Sequence, residues 1–547
     1  MLACAVLAFA ATPARAGTPE ARQVAAPGSP TATVPSNAPV TSSAPVTSNA
    51  PVTSSAPVTS GTPVVRTRAG AVRGTAGEGY RTFDGIPYAA PPVGSLRWAP
   101  PHPASPWRGV RDATRPASAC PQPAGEVPGG SVDEDCLYLN VTAPDAARPD
   151  RPMPVIVWVH GGGFSTGAGS SYDAHRLATR GNVVVVTLNY RLGALGFLAH
   201  GGLPGSGTFG LADQQAALRW VRANIGAFGG DRHNLTLAGE SAGGFSVCAQ
   251  LASPTAVGLF DRALIESGPC TGRADRPFAP SAISRTAADA AGAKLAKAVG
   301  CGAVRHVVTC LRRVSPARLL AAQDVDQQPA YATGLLPRDP STALAHGAVH
   351  HVPVLIGSNH DEGNGWAAAI VQAGVRITPA NWPETVADFL PDPAQAPTVA
   401  RTYPVTETNG GPVLGAVIGD GNYSCPTLRT GALLAGRVPL WRYEFADEHA
   451  PPLTSTPTPF PLGAPHASEL TYLFDLGGLP RAMTPAQHRL ADTMIDYWSG
   501  FARTGNPNSP NAPAWPADSV QSLVPDHTGP TDTTATAHHC ALWNTLP

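Results

Sequence analysis

Lysine is nearly missing from this chain of 547 residues, where Lys294 and Lys297 are its only representatives. Charged residues of every kind make up 14%, and the formal net charge is −1. There is no basic field for nucleic acid and no acidic tail. No segment stays apolar over the ~20 residues that span a bilayer. The phosphate-loop spacing G-x-x-x-x-G-K-[ST], a Ca²⁺ loop and an HExxH zinc motif are all absent, so no cofactor or metal is called for. The lysine deficit, with its excess of Ala, Gly and Pro, reflects GC-rich coding and says little about mechanism.

What is present begins with an apolar run over residues 2–11, followed by Ala14-Arg15-Ala16. Small residues at those two alanines suit a signal peptidase, so residues 1–16 read as a secretory signal peptide, though one without a positive leading segment. Residues 17–63 are rich in Ala, Pro, Thr, Ser and Val. Within them Ala38-Pro39-Val40-Thr41-Ser42-Ser43 recurs every six residues, restarting at Ala44, Ala50 and Ala56. Such a stretch cannot bury a core, and proline in each copy argues against a β-solenoid. It reads as a spacer whose composition suits O-glycosylation and attachment to a cell envelope. The nine cysteines fit an oxidising compartment.

Globular sequence runs over residues 64–547. Buried strands are expected at 154–159, 183–188, 235–238, 263–267, 353–357 and 439–445. Leu218, Val221, Ile225 and Phe228 recur at helical spacing over 211–228. Strands separated by helices imply an α/β fold, with a large, mainly parallel central sheet and helices on both faces.

The densest signal is Gly239-Glu240-Ser241-Ala242-Gly243. A short strand precedes it and a small-residue helix, 242–251, follows. That strand–turn–helix context gives a G-x-S-x-G match its meaning as a nucleophile turn. A serine hydroxyl needs a base to take its proton and donors for the oxyanion it creates. His160-Gly161-Gly162-Gly163-Phe164, directly after a strand, offers converging N–H groups at Gly162 and Gly163, with Ala242 N–H as a third. Among sixteen histidines, His466 stands out on a late loop, with His449 as runner-up. The orienting acid is expected in Asp361-Glu362, just past a strand's end, and chemistry alone does not separate the two.

These stretches, together with Glu134-Asp135-Cys136-Leu137-Tyr138-Leu139-Asn140, Asn189-Tyr190-Arg191 and Phe228-Gly229-Gly230-Asp231, resemble the type-B carboxylesterase/lipase family of α/β-hydrolases, which includes bacterial para-nitrobenzyl esterases and cholinesterases. The resemblance implies Ser241 as nucleophile, Glu362 as acid, His466 as base, and Gly162, Gly163 and Ala242 as oxyanion hole. It implies disulfides Cys120–Cys136, Cys301–Cys310 and Cys425–Cys540, and leaves Cys248 and Cys270 as buried thiols. The loop from 121 to 135 holds no aromatic residue, unlike the cholinesterase loop whose tryptophan holds choline. The expected activity is hydrolysis of small to medium carboxylic esters through an acyl-enzyme, by a secreted enzyme whose partner is a small-molecule ester. It should weaken on acidification as the base is protonated. A lipase is the alternative enzyme. A non-catalytic adhesion protein on the same fold is the alternative outside catalysis.

Overall fold

The computed structural model describes residues 62–279, 281–323 and 328–546. The expected signal peptide and nearly all of the spacer lie outside the described residues. The main sheet has eleven strands: β1 (Thr75–Gly77), β2 (Tyr80–Pro87), β3 (Tyr138–Pro144), β4 (Met153–Val159), β5 (Val184–Leu188), β6 (Gly230–Glu240), β7 (Arg262–Glu266), β8 (Val354–Asn359), β9 (Leu440–Phe445), β10 (Val520–Leu523) and β11 (Gly529–Thr531). Their lateral order is β11-β10-β9-β8-β7-β6-β4-β5-β3-β2-β1. From β10 across to β5 every pairing is parallel. The outer strands β1, β2, β3 and β11 join antiparallel.

Burial on both faces explains why the central strands are nearly all apolar. Val155, Val157 and Val159 of β4 enter one hydrophobic cluster. Ile156 and Trp158, between them, enter the opposite one. The same alternation splits Ala263 and Ile265 from Leu264, and Val354 and Ile356 from Leu355. A strand with both faces covered has no polar side to show in its sequence.

The helices that matter for the site are α1 (His175–Gly181), α2 (Phe209–Asn224), α3 (Ala242–Leu251), α4 (Asn364–Gln372), α5 (Gly410–Gly419) and α6 (Pro485–Thr504). Helices α2 and α3 pack Leu218, Val221, Val247 and Leu251 onto the first face. Helices α1 and α6 pack Leu177, Leu490, Met494 and Trp498 onto the second. The start of α6 is fixed by a reciprocal capping box between Thr484 and Gln487, and its end by Gly505 at φ 79°. The helical pattern expected to run to residue 228 ends as α-helix at Asn224. A 3₁₀ turn, Ile225–Phe228, completes it before Gly229 reverses the chain at φ 86°.

Strand order sets where the site is. The chain leaves β4 toward β5 on one side, and leaves β6 toward β7 on the other. Neighbouring strands whose connections diverge open a crevice at their carboxyl ends, where open α/β sheets bind ligands. Gly161–Gly163 follow β4 and Ser241 follows β6, so both border that crevice.

Candidate active site

Ser241 sits between the last residue of β6 and the first of α3, at φ 54° and ψ −123°. A non-glycine residue there is strained, and the surrounding packing must hold it. Gly243 shows how tight that packing is: a Cβ on it would lie 2.0 Å from the carbonyl oxygen of Val159. The N–H of Ser241 donates to Glu266 O at 2.9 Å. Ala242 follows as the first residue of α3, where N–H groups lack partners within the helix.

The loop after β4 lies against this turn. A Cβ built on Gly161 would lie 3.1 Å from Ser241 Cβ. The loop is closed on Gly162 O, which accepts from the N–H groups of Ser165 and Thr166 at 3.0 and 2.9 Å. Gly162 has φ 93°, and a Cβ there would strike Thr166 O at 2.4 Å. Gly163 faces open space, since a Cβ on it would meet nothing within 4 Å. Behind the loop His160 is buried and stacks on Tyr190, with ring centroids 4.5 Å apart. Its Nδ1 lies 2.9 Å from Gly161 O. Burial holds this imidazole down at about 4, from an ordinary value of 6.5.

Asp361 and Glu362 take separate tasks. Asp361 Oδ2 accepts from Ala464 N–H at 2.9 Å, fixing the loop that carries His466. Glu362 is fully buried. Its Oε1 accepts from Ser267 Oγ at 2.6 Å and from Asn359 N–H at 2.8 Å. Its Oε2 accepts from His466 Nδ1 at 2.6 Å. A carboxylate with three such bonds is satisfied and immobile. Because it accepts from Nδ1, the proton of a neutral ring stays there and Nε2 is left as the acceptor. His466 is also flanked by Trp366 and Tyr423, each with its ring centroid 4.8 Å away. These two rings stack on each other at 5.5 Å and 10°.

The structure thus brings His466 and Glu362 together, and Ser241 to the glycine loop. It does not join Ser241 to His466 by a hydrogen bond: His466 Nε2 is buried and has no hydrogen-bond partner among the described residues. Glu240 Oε1, from the residue just before Ser241, lies 3.1 Å from it. His449 lies elsewhere. Its N–H donates to Asp447 at 2.9 Å, and it lines a separate cavity with His360 and Glu444.

Several site residues went unassigned in the sequence. Glu240, Glu266 and Glu469 are buried beside the pair. Burial pushes the Glu240 carboxyl well above the ordinary range, with Glu469 and Glu362 adding to the effect. Burial raises Glu266 likewise, and Glu469 to about 7. Trp498 Nε1 donates to Glu266 at 2.7 Å from α6. The usable signal was a glutamate closing the apolar run at the carboxyl end of each of β6 and β7.

Cysteine pairing needs one correction. Cys120–Cys136, Cys301–Cys310 and Cys425–Cys540 are disulfides. Cys248 and Cys270, expected as thiols, form a fourth, with Cα atoms 5.0 Å apart. The turn after β7 runs back across α3, bringing residue 270 beside residue 248, a closeness that no sequence spacing reveals.

Sheet order, crevice and strained serine turn together define an α/β-hydrolase. A model of the carboxylesterase family matches residues 61–543. The chain is 36% identical over 493 residues to para-nitrobenzyl esterase of Bacillus subtilis (strain 168), covering 85% of this chain and 94% of that protein. It is 36% identical over 467 residues to acylcarnitine hydrolase of Mus musculus, covering 80% and 81%. A solved PNB esterase superposes with a TM-score of 0.71 at 34% identity, over 87% of this chain and 99% of the other. A thermophilic PNB esterase gives 0.73 at 33% identity, again over 87% and 99%. The chain belongs to the carboxylesterase family, and is a serine hydrolase of the type-B group that hydrolyses esters.

Proposed function

We propose that Ser241, His466 and Glu362 act as a triad that hydrolyses small to medium carboxylic esters through an acyl-enzyme. One observation carries this reading. The imidazole of His466 is held through Nδ1 by a buried, fully bonded carboxylate at 2.6 Å, while its Nε2 makes no hydrogen bond among the described residues and lies 3.1 Å from Oε1 of Glu240, the residue preceding Ser241. Hydrogen bonds of this kind are often long without substrate and tighten in the complex. His466 takes the Ser241 proton as the hydroxyl attacks the ester carbonyl. N–H groups of Gly162, Gly163 and Ala242 receive the developing negative charge. Glu362 keeps the tautomer and stabilises the imidazolium. The alcohol leaves with the proton from His466. Water, activated in the same way, frees the acid.

A short apolar leader, a charge-poor spacer and four disulfides support export to an oxidising compartment. Among the described residues no helix is long and apolar enough to cross a membrane. The test is pre-steady-state hydrolysis of a short-chain para-nitrophenyl ester. Wild-type protein should release a burst of para-nitrophenol near one per chain. Ser241→Ala should lose the burst and about 10⁶ in kcat. Turnover near wild type in that variant would remove Ser241 from the mechanism. A rate that jumps only above the substrate's solubility limit would shift the reading to a lipase.

A further inference from the structure

Two residues before Glu362, His360 meets a different carboxylate. Its Nδ1 lies 3.3 Å from Glu444 Oε1. Nε2 of His538 lies 2.6 Å from the same oxygen. One ligand atom from each of the three falls within 4.8 Å of the other two. The three arrive from distant parts of the chain: the turn after β8, strand β9, and the C-terminal stretch just before Cys540.

The donors are braced from behind. Asp420 Oδ1 lies 2.5 Å from His538 Nδ1. Thr534 Oγ1 donates to Glu444 Oε2 at 3.2 Å. A carboxylate behind one imidazole nitrogen, leaving the other directed forward, is the arrangement that orients histidine for a metal. Glu444 and His538 are buried, whereas the His360 side chain is 39% exposed. His360 and Glu444 line a cavity of about 520 Å³ beyond the carboxyl ends of β8, β9 and β10, which Asp447, His449 and Ser522 also line.

We propose that His360, Glu444 and His538 bind a zinc ion, with a fourth position open to that cavity, and that the ion ties the C-terminal stretch to the sheet. Two imidazoles and one carboxylate suit zinc, whereas calcium and magnesium prefer all-oxygen sites. Zinc would displace the proton that His538 Nε2 shares with Glu444, releasing it to solvent. Ligand atoms around a tetrahedral ion stand about 3.3 Å apart, so small side-chain rotations would admit it.

The test uses full-length, tag-free protein stripped with a chelator and titrated with zinc sulfate alone. One equivalent should bind with proton release, read as a calorimetric heat that changes with the buffer. Cobalt(II) in its place should give the intense visible bands of a four-coordinate site. Added zinc should raise the thermal midpoint. His360→Ala should weaken binding at least tenfold and cancel the rise, with near-ultraviolet circular dichroism confirming its fold. His360→Asn, which keeps a polar side chain at the cavity wall, is the second variant and should lose zinc in the same way. His449→Ala, on the same cavity but outside the ligand set, should bind as wild type. Failure to retain zinc would overturn the proposal and leave His538 as an imidazolium clamp between two carboxylates. Zinc binding that both His360 variants leave unchanged would place the metal on surface histidines and overturn it equally.

Discussion

Asp361 and Glu362 are adjacent, carry the same charge, and differ in what they touch. Asp361 holds the backbone of the loop bearing His466, and Glu362 holds the imidazole. Glu362→Gln should lower kcat by about 10⁴, because an amide can donate to Nδ1 and so favours the wrong tautomer. Asp361→Asn keeps an oxygen for Ala464 N–H, and kcat should stay within about tenfold of wild type. Steady-state kinetics on one ester decide this, and equal losses in the two variants would contradict the division of labour. At this scale the sequence was most readable where the chemistry is local. The turn at Ser241 is contiguous with its strand and its helix, so five letters and their flanks specify it. Ser267 and Asn359 bond the same carboxylate from 95 residues and 3 residues away. Neither belongs to a motif, and a serine or asparagine near a strand end reads as an ordinary loop residue.

Among elements, α3 carries the largest constraint. Its first residue follows Ser241, its body packs under the sheet, and Cys248 ties it to Cys270. The tied segment includes Ser267, whose hydroxyl donates to Glu362 at 2.6 Å. One covalent link therefore fixes the helix behind the serine to the turn behind the acid. For a separation of 22 residues, the chain-entropy model assigns about 3 kcal/mol to such a link. The double variant Cys248→Ala/Cys270→Ala should lose about that much in urea unfolding. An unchanged unfolding midpoint would contradict a structural role for the bond. The parallel strands were legible from their apolar runs, since both faces of β4 to β8 are buried. Their ends were less so: β6 was expected over 235–238 and spans Gly230–Glu240. Its first half is polar and partly exposed, and it pairs with β4 only across a register shift. The fourth disulfide was illegible because it depends on how the turn after β7 folds back.

For the molecule as a whole, stability should fall in mild acid, and His160 is one traceable cause. Its imidazole is depressed from 6.5 to about 4 by burial. Between those values the unfolded chain binds the proton and the folded one does not. The contribution is therefore complete above pH 6.5 and is lost as pH falls toward 4. The size is about 3 kcal/mol. Urea unfolding of wild type and His160→Asn across that range checks it. The stability difference between them should shrink by about 3 kcal/mol on acidification, and a constant difference would contradict the assignment. Fold class was readable at this scale because alternating strands and helices leave few topologies. The crevice was not, since it arises from the lateral order of β4 and β6.

The whole account rests on Ser241 being the group that takes the acyl chain. Incubation with a reactive organophosphate ester, then proteolysis and mass spectrometry of the peptides, tests this most directly. The account predicts one phosphoryl adduct per chain, on Ser241, formed in step with loss of ester hydrolysis and absent from His466→Ala. Complete inactivation with the adduct on another residue, or with Ser241 unmodified, would contradict it.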